Sequence, residues 1–340
     1  MRVERELKEF IRNIDREYSL KKISPVLFKS IGEFISRKGK RVRPTLLVIA
    51  YMGFAKKIAP GLYKSAISLE LLHDFMLVHD DVIDKSETRR GKPSMHAMLN
   101  NYLSKGRGIK FDGEGLTIVA GDVLFAMALR AFLSIKEEPR RKEAALIRLI
   151  DAAMYTGSGE FIELLSGLKA IDKITKQDIY KIYDYKTANY TFAYPLAIGA
   201  TLAGAKKAEV DRLLRYGIYL GRSFQIKDDI LGMFSEETAI GKSTLTDLQE
   251  AKKTILIWKA YNNLPAAGKL AVKNLLSKKR VGKMDLLKIR RLVNESGALE
   301  FARREIGDYI DKAQIVIRDS GMKPRYKKML LKYCLGILNL

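Results

Sequence analysis

The chain has one cysteine, one tryptophan and eight prolines among its 340 residues. A single cysteine, Cys334, excludes an internal disulfide and any metal site built from several thiolates. The scarcity of proline, together with a 47% share of hydrophobic residues, excludes a generically disordered chain. We therefore predict a folded protein with a large core that includes Cys334 and Trp258.

Long apolar runs are also missing. No uninterrupted run approaches the roughly 20 residues that a membrane-spanning helix needs. The nearest candidate, residues 190–205, is interrupted by Pro195 and Gly199. The amino terminus is charged from its second residue and lacks the apolar segment of a secretory signal. These absences predict a soluble, cytoplasmic protein.

Acidic residues are in short supply: 39 Asp and Glu face 62 Lys and Arg, which gives a formal net charge of +23. From Lys252 onward there are 21 basic residues and 7 acidic ones. Such a surplus favours anionic partners, namely nucleic acid, an anionic membrane surface or phosphorylated substrates. A solvated basic surface explains it equally well, so the charge alone decides no function.

The hydrophobic pattern is helical almost throughout. Apolar residues recur three and four positions apart, and convincing alternating strands are absent. The predicted helical segments are residues 62–83, 116–135, 142–168 and 179–203. Pro195 predicts a kink, and residues 104–115 and 235–246 predict loops. Because no Pro/Gly/Ser-rich linker divides the chain, we predict one all-α domain over residues 1–340.

Two aspartate clusters each follow an apolar helical run. Asp80, Asp81 and Asp84 form the first cluster, and Asp228 and Asp229 form the second. Asp80 and Asp84 are four residues apart and therefore share one helix face. Neighbouring carboxylates repel one another, and their hard oxygens suit Mg²⁺, which shares its coordination shell with substrate phosphates. Either cluster alone could be a solvated helix end, but two such clusters in a basic chain favour a metal site.

Basic residues accompany these clusters. They are Lys40 and Arg43, Arg89 and Arg90, Lys186, Lys242 and Lys252. Any one of them could be an ordinary surface charge. Carboxylates that hold metal, combined with Arg and Lys that bind phosphate directly, predict a site for pyrophosphate esters.

In order and spacing, these motifs resemble the trans-isoprenyl diphosphate synthases, over residues 39–254. This family of head-to-tail prenyltransferases implies an all-α isoprenoid synthase bundle around a deep central pocket, assembled as a homodimer. It implies condensation of isopentenyl diphosphate with dimethylallyl, geranyl or farnesyl diphosphate. The allylic substrate ionises, the isopentenyl double bond attacks, and a proton leaves. Three Mg²⁺ ions per site are implied once substrate is bound.

The resemblance also implies a role for each matching residue. The isopentenyl diphosphate site comprises Lys40, Arg43, His73, Arg90 and Phe224. The allylic diphosphate site comprises Arg89, Lys186, Thr187, Gln225, Lys242 and Lys252. The metal ligands are Asp80, Asp84 and Asp228, and Asp81 and Asp229 support them.

Product length is predicted from the helix that carries Asp80. Met76 lies four residues before Asp80 on the same face, and Phe75 lies five before. By the resemblance, an aromatic residue at the fifth position, with no insertion in the cluster, matches archaeal-type geranylgeranyl diphosphate synthases. We therefore predict a C20 product, with partial C15 release and with C25 less favoured. Phe75 could instead be a core aromatic.

Three positions depart from the family pattern. Gly232 stands where many members have a third aspartate of the second cluster. Glu160 and Glu163 replace the frequent Gln and Asp, and a carboxylate cannot donate as an amide does. Ala251 replaces a frequent glycine beside Lys252.

Two alternative interpretations remain open. A terpene cyclase or head-to-head condensing enzyme of the same superfamily would share the aspartates but has no need of Lys40, Arg43 and Arg90. A non-catalytic basic protein that binds nucleic acid, or acts as a regulatory subunit, would explain the charge. Carboxylates among the basic groups would repel a phosphate backbone, so we predict no nucleic-acid partner. Weak association with a membrane surface remains compatible with the basic C-terminal quarter.

Overall fold

A computed structural model describes residues 2–106, 108–235 and 246–338. The first half consists of α1 Arg2–Tyr18, α2 Leu20–Ile23, α3 Pro25–Ile35, α4 Val42–Phe54, α5 Leu62–Ala66, α6 Ser68–Ile83, strands β1 Thr88–Arg89 and β2 Lys92–Pro93, α7 Met95–Leu103, α8 Gly113–Phe132 and α9 Pro139–Gly167. The second half has a 3₁₀ turn at Ile171–Lys173, then α10 Lys176–Ile182, a π-helical segment Tyr183–Ala193, α11 Tyr194–Leu202, α12 Lys207–Phe234, α13 Thr246–Gln249, α14 Ile255–Asn263, α15 Ala266–Leu276, α16 Lys283–Glu295, α17 Ala298–Arg318 and α18 Pro324–Leu338.

The predicted all-α class is confirmed, and the predicted helices lie close to the observed ones. The segment predicted at 62–83 is divided into α5 and α6. α8 and α9 each begin three residues earlier than predicted, and they end three residues and one residue earlier, respectively. The loop predicted at 104–115 ends early, because Asp112 caps α8 by accepting a hydrogen bond from Gly115 N (2.9 Å). Of the second predicted loop, residues 236–245 lie outside the described part of the chain.

The core forms two clusters of buried side chains that meet at α4 and α11. Leu47 and Ile198 belong to one cluster, and Leu46 and Leu196 belong to the other. Gly199 permits this close packing, since a Cβ there would lie 2.2 Å from the Leu47 carbonyl oxygen.

Both rare residues contact the core. Cys334 is fully buried and donates to the Tyr216 hydroxyl (3.2 Å). Trp258 is partly buried against the second-half cluster, and its indole nitrogen donates to the carbonyl of Ile174 (3.0 Å). The core positions predicted from hydrophobicity are therefore the observed ones.

The helix around Pro195 is irregular on the N-terminal side of the proline. Residues Tyr183–Ala193 form the π-helical segment, and Pro195 is the second residue of α11. A π-helix bonds each carbonyl to the amide five residues on and is often found at functional sites. The sequence predicted only a kink at Pro195, whereas the structure places the irregularity in the residues that precede it.

Within the described residues, α8 is long and apolar enough to cross a membrane by length and composition. The sequence pointed instead to residues 190–205 as the nearest candidate. α8 carries Asp122 and Arg130, and buried residues along it, including Leu124 and Met127, belong to the first-half core. This packing accounts for the buried side of α8, whereas Ile118 and Val119 on the same helix are exposed.

Candidate active site

A cavity of about 1640 Å³ opens between α4, α6, α9, the π-helical segment and α12. It collects most of the residues that the sequence singled out. They are Lys40, Arg43, His73, Asp80, Asp84, Arg89, Arg90, Lys186, Thr187, Phe224, Gln225, Asp228, Asp229 and Lys252. Lys242 lies outside the described residues. Residues far apart in the sequence therefore share one cavity wall.

The first aspartate cluster lies at the C-terminal end of α6. Asp80 faces the cavity, whereas Asp81 is fully buried. Arg89 supports both carboxylates: its Nε donates to Asp81 Oδ1 (2.6 Å) and its Nη2 donates to Asp80 Oδ2 (3.0 Å). Arg89 thus links the cavity-facing carboxylate of Asp80 to the buried carboxylate of Asp81.

A short β-hairpin that the sequence analysis missed carries Arg89 and Arg90. β1 and β2 pair antiparallel, and Arg90 and Gly91 form the turn with φ angles of 56° and 71°. Two consecutive residues with positive φ are typical of the tight turns that join adjacent strands. In the sequence, only the consecutive Arg90 and Gly91 could have indicated this turn. This hairpin folds both arginines back towards α6.

Three carboxylates converge beside Arg89. One oxygen from each of Asp80, Asp84 and Glu160 lies within 4.8 Å of the other two. Burial and the neighbouring Asp80 raise the pKa of Asp84 to about 7, and burial raises the pKa of Glu160. Crowded carboxylates of this kind gain from a hard divalent cation, so the donor set fits Mg²⁺. Glu160, which departs from the family pattern, adds a third carboxylate to this set.

Lys186 extends from the π-helical segment towards the same carboxylates. Its ammonium lies 2.6 Å from Glu160 and also forms an ion pair with Glu163. Burial alone would lower the pKa of Lys186, but the nearby carboxylates, led by Glu163, raise it overall. The lysine is therefore a fixed cation that the two glutamates restrain.

The second aspartate cluster lies on α12. Asp228 is exposed to the cavity, whereas Asp229 is buried. Asp229 accepts hydrogen bonds from the Tyr183 hydroxyl and from Gln225 Nε2 (3.0 Å), and Gln225 Oε1 in turn accepts from Thr187 (2.7 Å). Tyr183 was not anticipated from the sequence. Its hydroxyl also accepts from the amide of Ile255 (2.9 Å), which ties α14 to the cluster.

At the other side of the cavity, Arg43 lies over the Tyr190 ring, 4.2 Å from its centre, and donates to Thr191 (2.7 Å). The Tyr190 hydroxyl contacts His73 Nδ1 (3.3 Å). Burial, followed by the charge of Arg43 and Arg90, lowers the pKa of His73 well below its usual range. The neutral form of His73 is therefore favoured, and it can offer a hydrogen bond but no charge.

Residues 24–293 match the family model for polyprenyl synthetase. The geranylgeranyl diphosphate synthase of Saccharolobus solfataricus is 30% identical over 96% of this chain and 94% of its own. The chain belongs to the polyprenyl synthetase family.

Other members of the family differ in the product after which they are named. The geranylfarnesyl diphosphate synthase of Aeropyrum pernix is 30% identical to this polyprenyl synthetase over 83% of the chain and 84% of its own. A crystal structure of geranylgeranyl pyrophosphate synthase from Corynebacterium glutamicum, with isoprenyl diphosphate and magnesium, superposes with a TM-score of 0.87 at 24% identity. That match covers 99% of this chain and 97% of the other, so the isoprenoid synthase fold is confirmed.

Phe75 and Met76 do not line the cavity of this polyprenyl synthetase, among the residues described. Phe75 packs between α6 and α8, with its ring centre 4.7 Å from that of His79 and 5.2 Å from that of Phe125. On α6 the cavity is lined instead by Glu70, His73, Leu77, Asp80 and Ile83. The chain-length role of Phe75 and Met76 thus stays a prediction, and Phe125 is a neighbour that the sequence did not reveal.

Ala251, the third departure from the family pattern, has a φ angle of 51°. This left-handed conformation explains why the family often has glycine at the position, since only glycine adopts it without a steric penalty. The neighbouring Lys252 lies 2.8 Å from Glu250.

Proposed function

We propose that this polyprenyl synthetase is a head-to-tail prenyltransferase that condenses isopentenyl diphosphate with dimethylallyl, geranyl or farnesyl diphosphate, mainly to the C20 product. The observation that carries the proposal is one cavity lined both by residues of two aspartate clusters and by Lys40, Arg43 and Arg90. The names of the relatives from Saccharolobus and Corynebacterium support the C20 assignment. In this proposal, residues 1–340 form one catalytic domain.

In this proposal the carboxylate side of the cavity binds the allylic diphosphate. Asp80, Asp84 and Asp228 hold Mg²⁺, three ions per site with substrate bound, and Glu160 joins the first cluster. When bound, the metal neutralises the diphosphate as it leaves. Arg89, Lys186 and Lys252, with Lys242, bind the diphosphate directly. Thr187 and Gln225 lie at the allylic end, and Asp81 and Asp229 hold their neighbouring aspartates in place.

The opposite side of the cavity binds isopentenyl diphosphate. Lys40, Arg43 and Arg90 supply charge to its diphosphate, and neutral His73 supplies a hydrogen bond. Phe224, whose ring packs 5.3 Å from that of Phe192, lies beside the reacting double bond. Apolar wall residues such as Leu77 exclude water that would otherwise quench an allylic cation. The proton lost after condensation goes to the departing diphosphate.

The direct test combines purified protein, radiolabelled isopentenyl diphosphate, an allylic diphosphate and Mg²⁺. We expect labelled prenyl diphosphates that form only when isopentenyl diphosphate, the allylic diphosphate and Mg²⁺ are all present. A cyclic hydrocarbon formed without isopentenyl diphosphate would indicate a terpene cyclase, and no reaction would favour a non-catalytic protein. Lys40→Ala should raise the KM for isopentenyl diphosphate more than the KM for the allylic substrate.

Product length is tested separately from activity. We propose that Phe75, packed against Phe125 between α6 and α8, limits the growing chain, with Met76 next to it. Phe75→Ala should remove the aromatic barrier and shift products beyond C20. Phe10→Ala removes a buried aromatic from α1 and serves as the control. Unchanged products in Phe75→Ala would remove that residue from the chain-length mechanism without affecting the assignment as a prenyltransferase.

We propose a homodimer that pairs the exposed face of α9 with a second copy of the chain. Large apolar side chains follow one face of this helix and remain exposed, among them Met154 (66%), Phe161 (64%) and Leu168 (85%). A contiguous apolar helix face of this kind is typical of a protein interface. Phe161→Glu should convert the dimer to a monomer in sedimentation velocity, whereas Leu270→Glu, at a similarly exposed position on α15, should not.

We propose a cytoplasmic enzyme that associates weakly with anionic membranes through α16. Met284 and Leu287 are exposed on this helix, flanked by Lys283 and Lys288. Apolar side chains among cations suit a lipid interface better than nucleic acid. Co-sedimentation with phosphatidylglycerol vesicles, but not with phosphatidylcholine vesicles, is expected. The double variant Met284→Ser/Leu287→Ser should bind phosphatidylglycerol vesicles less. Equal binding by that variant would show that α16 is not the membrane-binding surface.

A further inference from the structure

A buried acidic pair lies on α6 beside Arg90, with Glu70 at the cavity wall and Asp74 behind it. Glu70 and Asp74 are four residues apart on α6 and therefore share one helix face. Glu70 is 2% exposed and Asp74 is 0% exposed. Asp74 is not part of the cavity wall, so it cannot touch substrate directly.

Three groups of this pair lack hydrogen-bond partners in the described part of the chain. They are both oxygens of Asp74 and Oε2 of Glu70. The other oxygen of Glu70 accepts from Arg41 Nη1 (2.5 Å), whose guanidinium is completely buried and also contacts Glu4. Buried polar groups without partners are costly, so their persistence calls for an explanation.

Arg90 is the group that faces these carboxyls. Its Nη1 lies 3.8 Å from Asp74 Oδ1, and its Nη2 lies 3.9 Å from Glu70 Oε1. Arg90 Nη1 is itself buried and has no hydrogen-bond partner among the described residues. A donor and an acceptor that both lack a partner thus lie within a small side-chain movement of each other.

We propose that Asp74 is a positioning residue for Arg90: it accepts a hydrogen bond from Nη1 and holds the guanidinium at the isopentenyl diphosphate site. The inference rests on the proposed function, in which Arg90 binds that diphosphate. The turn conformation of Arg90, with φ of 56°, directs its side chain back onto α6, where Asp74 and Glu70 receive it. Without the acceptor, the guanidinium would be expected to move towards solvent.

Burial and the neighbouring Glu70 raise the pKa of Asp74 well above its usual range. A protonated carboxyl retains a carbonyl oxygen that accepts a hydrogen bond. Asparagine offers the same carbonyl oxygen in the same shape, whereas alanine offers none. The two substitutions therefore separate positioning by a hydrogen bond from a requirement for negative charge.

The experiment measures kcat and the KM for each substrate in Asp74→Ala, Asp74→Asn, Arg90→Ala and the double variant Asp74→Ala/Arg90→Ala. We expect Asp74→Ala to raise the KM for isopentenyl diphosphate about tenfold, with kcat and the allylic KM within about twofold. Asp74→Asn should restore most of the loss. In the Arg90→Ala background, the Asp74 change should have no further effect, because its target is absent.

A matched control exists far from the cavity. Arg212 Nε is also buried without a hydrogen-bond partner among the described residues and lies 3.6 Å from Glu209. Glu209→Ala should leave both KM values unchanged. Thermal unfolding of every variant monitors folding, and if Asp74→Ala does not fold, Asp74→Val, which also lacks an acceptor, replaces it with the same expectation.

Three outcomes overturn the inference: an equal rise of both KM values in Asp74→Ala, no rescue by asparagine, or a full Asp74 effect in the Arg90→Ala background. Failure of the proposed function gives a different result. If Arg90→Ala itself leaves the KM for isopentenyl diphosphate unchanged, Arg90 does not bind that substrate. If Arg90→Ala raises it and Asp74→Ala does not, only the positioning role is rejected.

Discussion

The two aspartate clusters have the same two-part arrangement but differ in what holds them. In each, one carboxylate faces the cavity and its neighbour in the sequence is buried. The buried Asp81 is held by the cation of Arg89. Among the described residues, the buried Asp229 accepts hydrogen bonds from two neutral donors, the hydroxyl of Tyr183 and the amide of Gln225.

The difference shows that a repeated sequence pattern can rest on different chemistry. Glu160 adds a fourth carboxylate to the first cluster, and there the Arg89 cation offsets part of the accumulated negative charge. Tyr183 and Gln225 orient Asp229 without changing its charge. The first cluster should therefore respond to loss of a charge, and the second to loss of a hydrogen bond.

The largest effect should come from the cavity-facing carboxylates, where the clusters are alike. Asp80→Ala and Asp228→Ala should each lower kcat by about a thousandfold, because each removes stabilisation that grows as the diphosphate leaves. Steady-state kinetics at saturating Mg²⁺ measures this loss, and circular dichroism should show an intact helical fold. Asp311→Ala, at an exposed position on α17, is the control. Retention of more than about a tenth of kcat in either variant would contradict the metal assignment.

The buried carboxylates should distinguish the clusters by stability. Arg89→Gln leaves Asp81 buried without its cation and should lower the free energy of unfolding by about 4 kcal/mol. Tyr183→Phe removes a neutral hydrogen bond and should lower it by about 1.5 kcal/mol. Urea unfolding of the metal-free protein measures both. Arg130→Gln, in an exposed ion pair with Glu17, should change little. Equal losses of unfolding free energy in Arg89→Gln and Tyr183→Phe would contradict the proposed difference between the clusters.

The crowded first cluster should also make stability depend on pH. The pKa of Asp84 is raised from 3.8 to about 7 in the folded protein, so the folded state binds a proton more tightly than the unfolded state. The stability that Asp84 contributes is fully present below pH 3.8 and is lost as the pH rises through about 7. In EDTA, Asp84→Asn should be more stable than the parent protein at pH 8, and this advantage should shrink towards pH 4. If the stability advantage of Asp84→Asn were the same at pH 8 and pH 4, the raised pKa of Asp84 would be rejected.

The smallest effect is expected at Ala251, between Glu250 and Lys252. Ala251→Gly relieves a left-handed backbone conformation and should raise the free energy of unfolding by no more than about 1 kcal/mol. The kinetic constants should not change, because the residue contributes no polar side chain to either cluster. Differential scanning calorimetry measures the gain, and a marked loss of stability would show that the methyl group of Ala251 has a packing role.

The sequence by itself determined the fold class, and most of the site residues that it singled out do line the cavity. Apolar periodicity is local, so helices such as α8 and α9 could be predicted to within a few residues. Asp80 and Asp84 share a helix face because their spacing requires it. The motif order then implied which cations would join them, and Arg43, Lys186 and Lys252 do line the same cavity.

Only the tertiary structure decided which partner each of these groups has. Arg89, in the first strand of the hairpin, bonds to aspartates eight and nine residues earlier, and Tyr183 reaches Asp229 from a different helix. The sequence did not single out Asp74. Only the fold brings Arg90 Nη1 to within 3.8 Å of its carboxyl. Burial and electrostatic interaction depend on separation in space, which is set when the helices pack and cannot be obtained from local spacing.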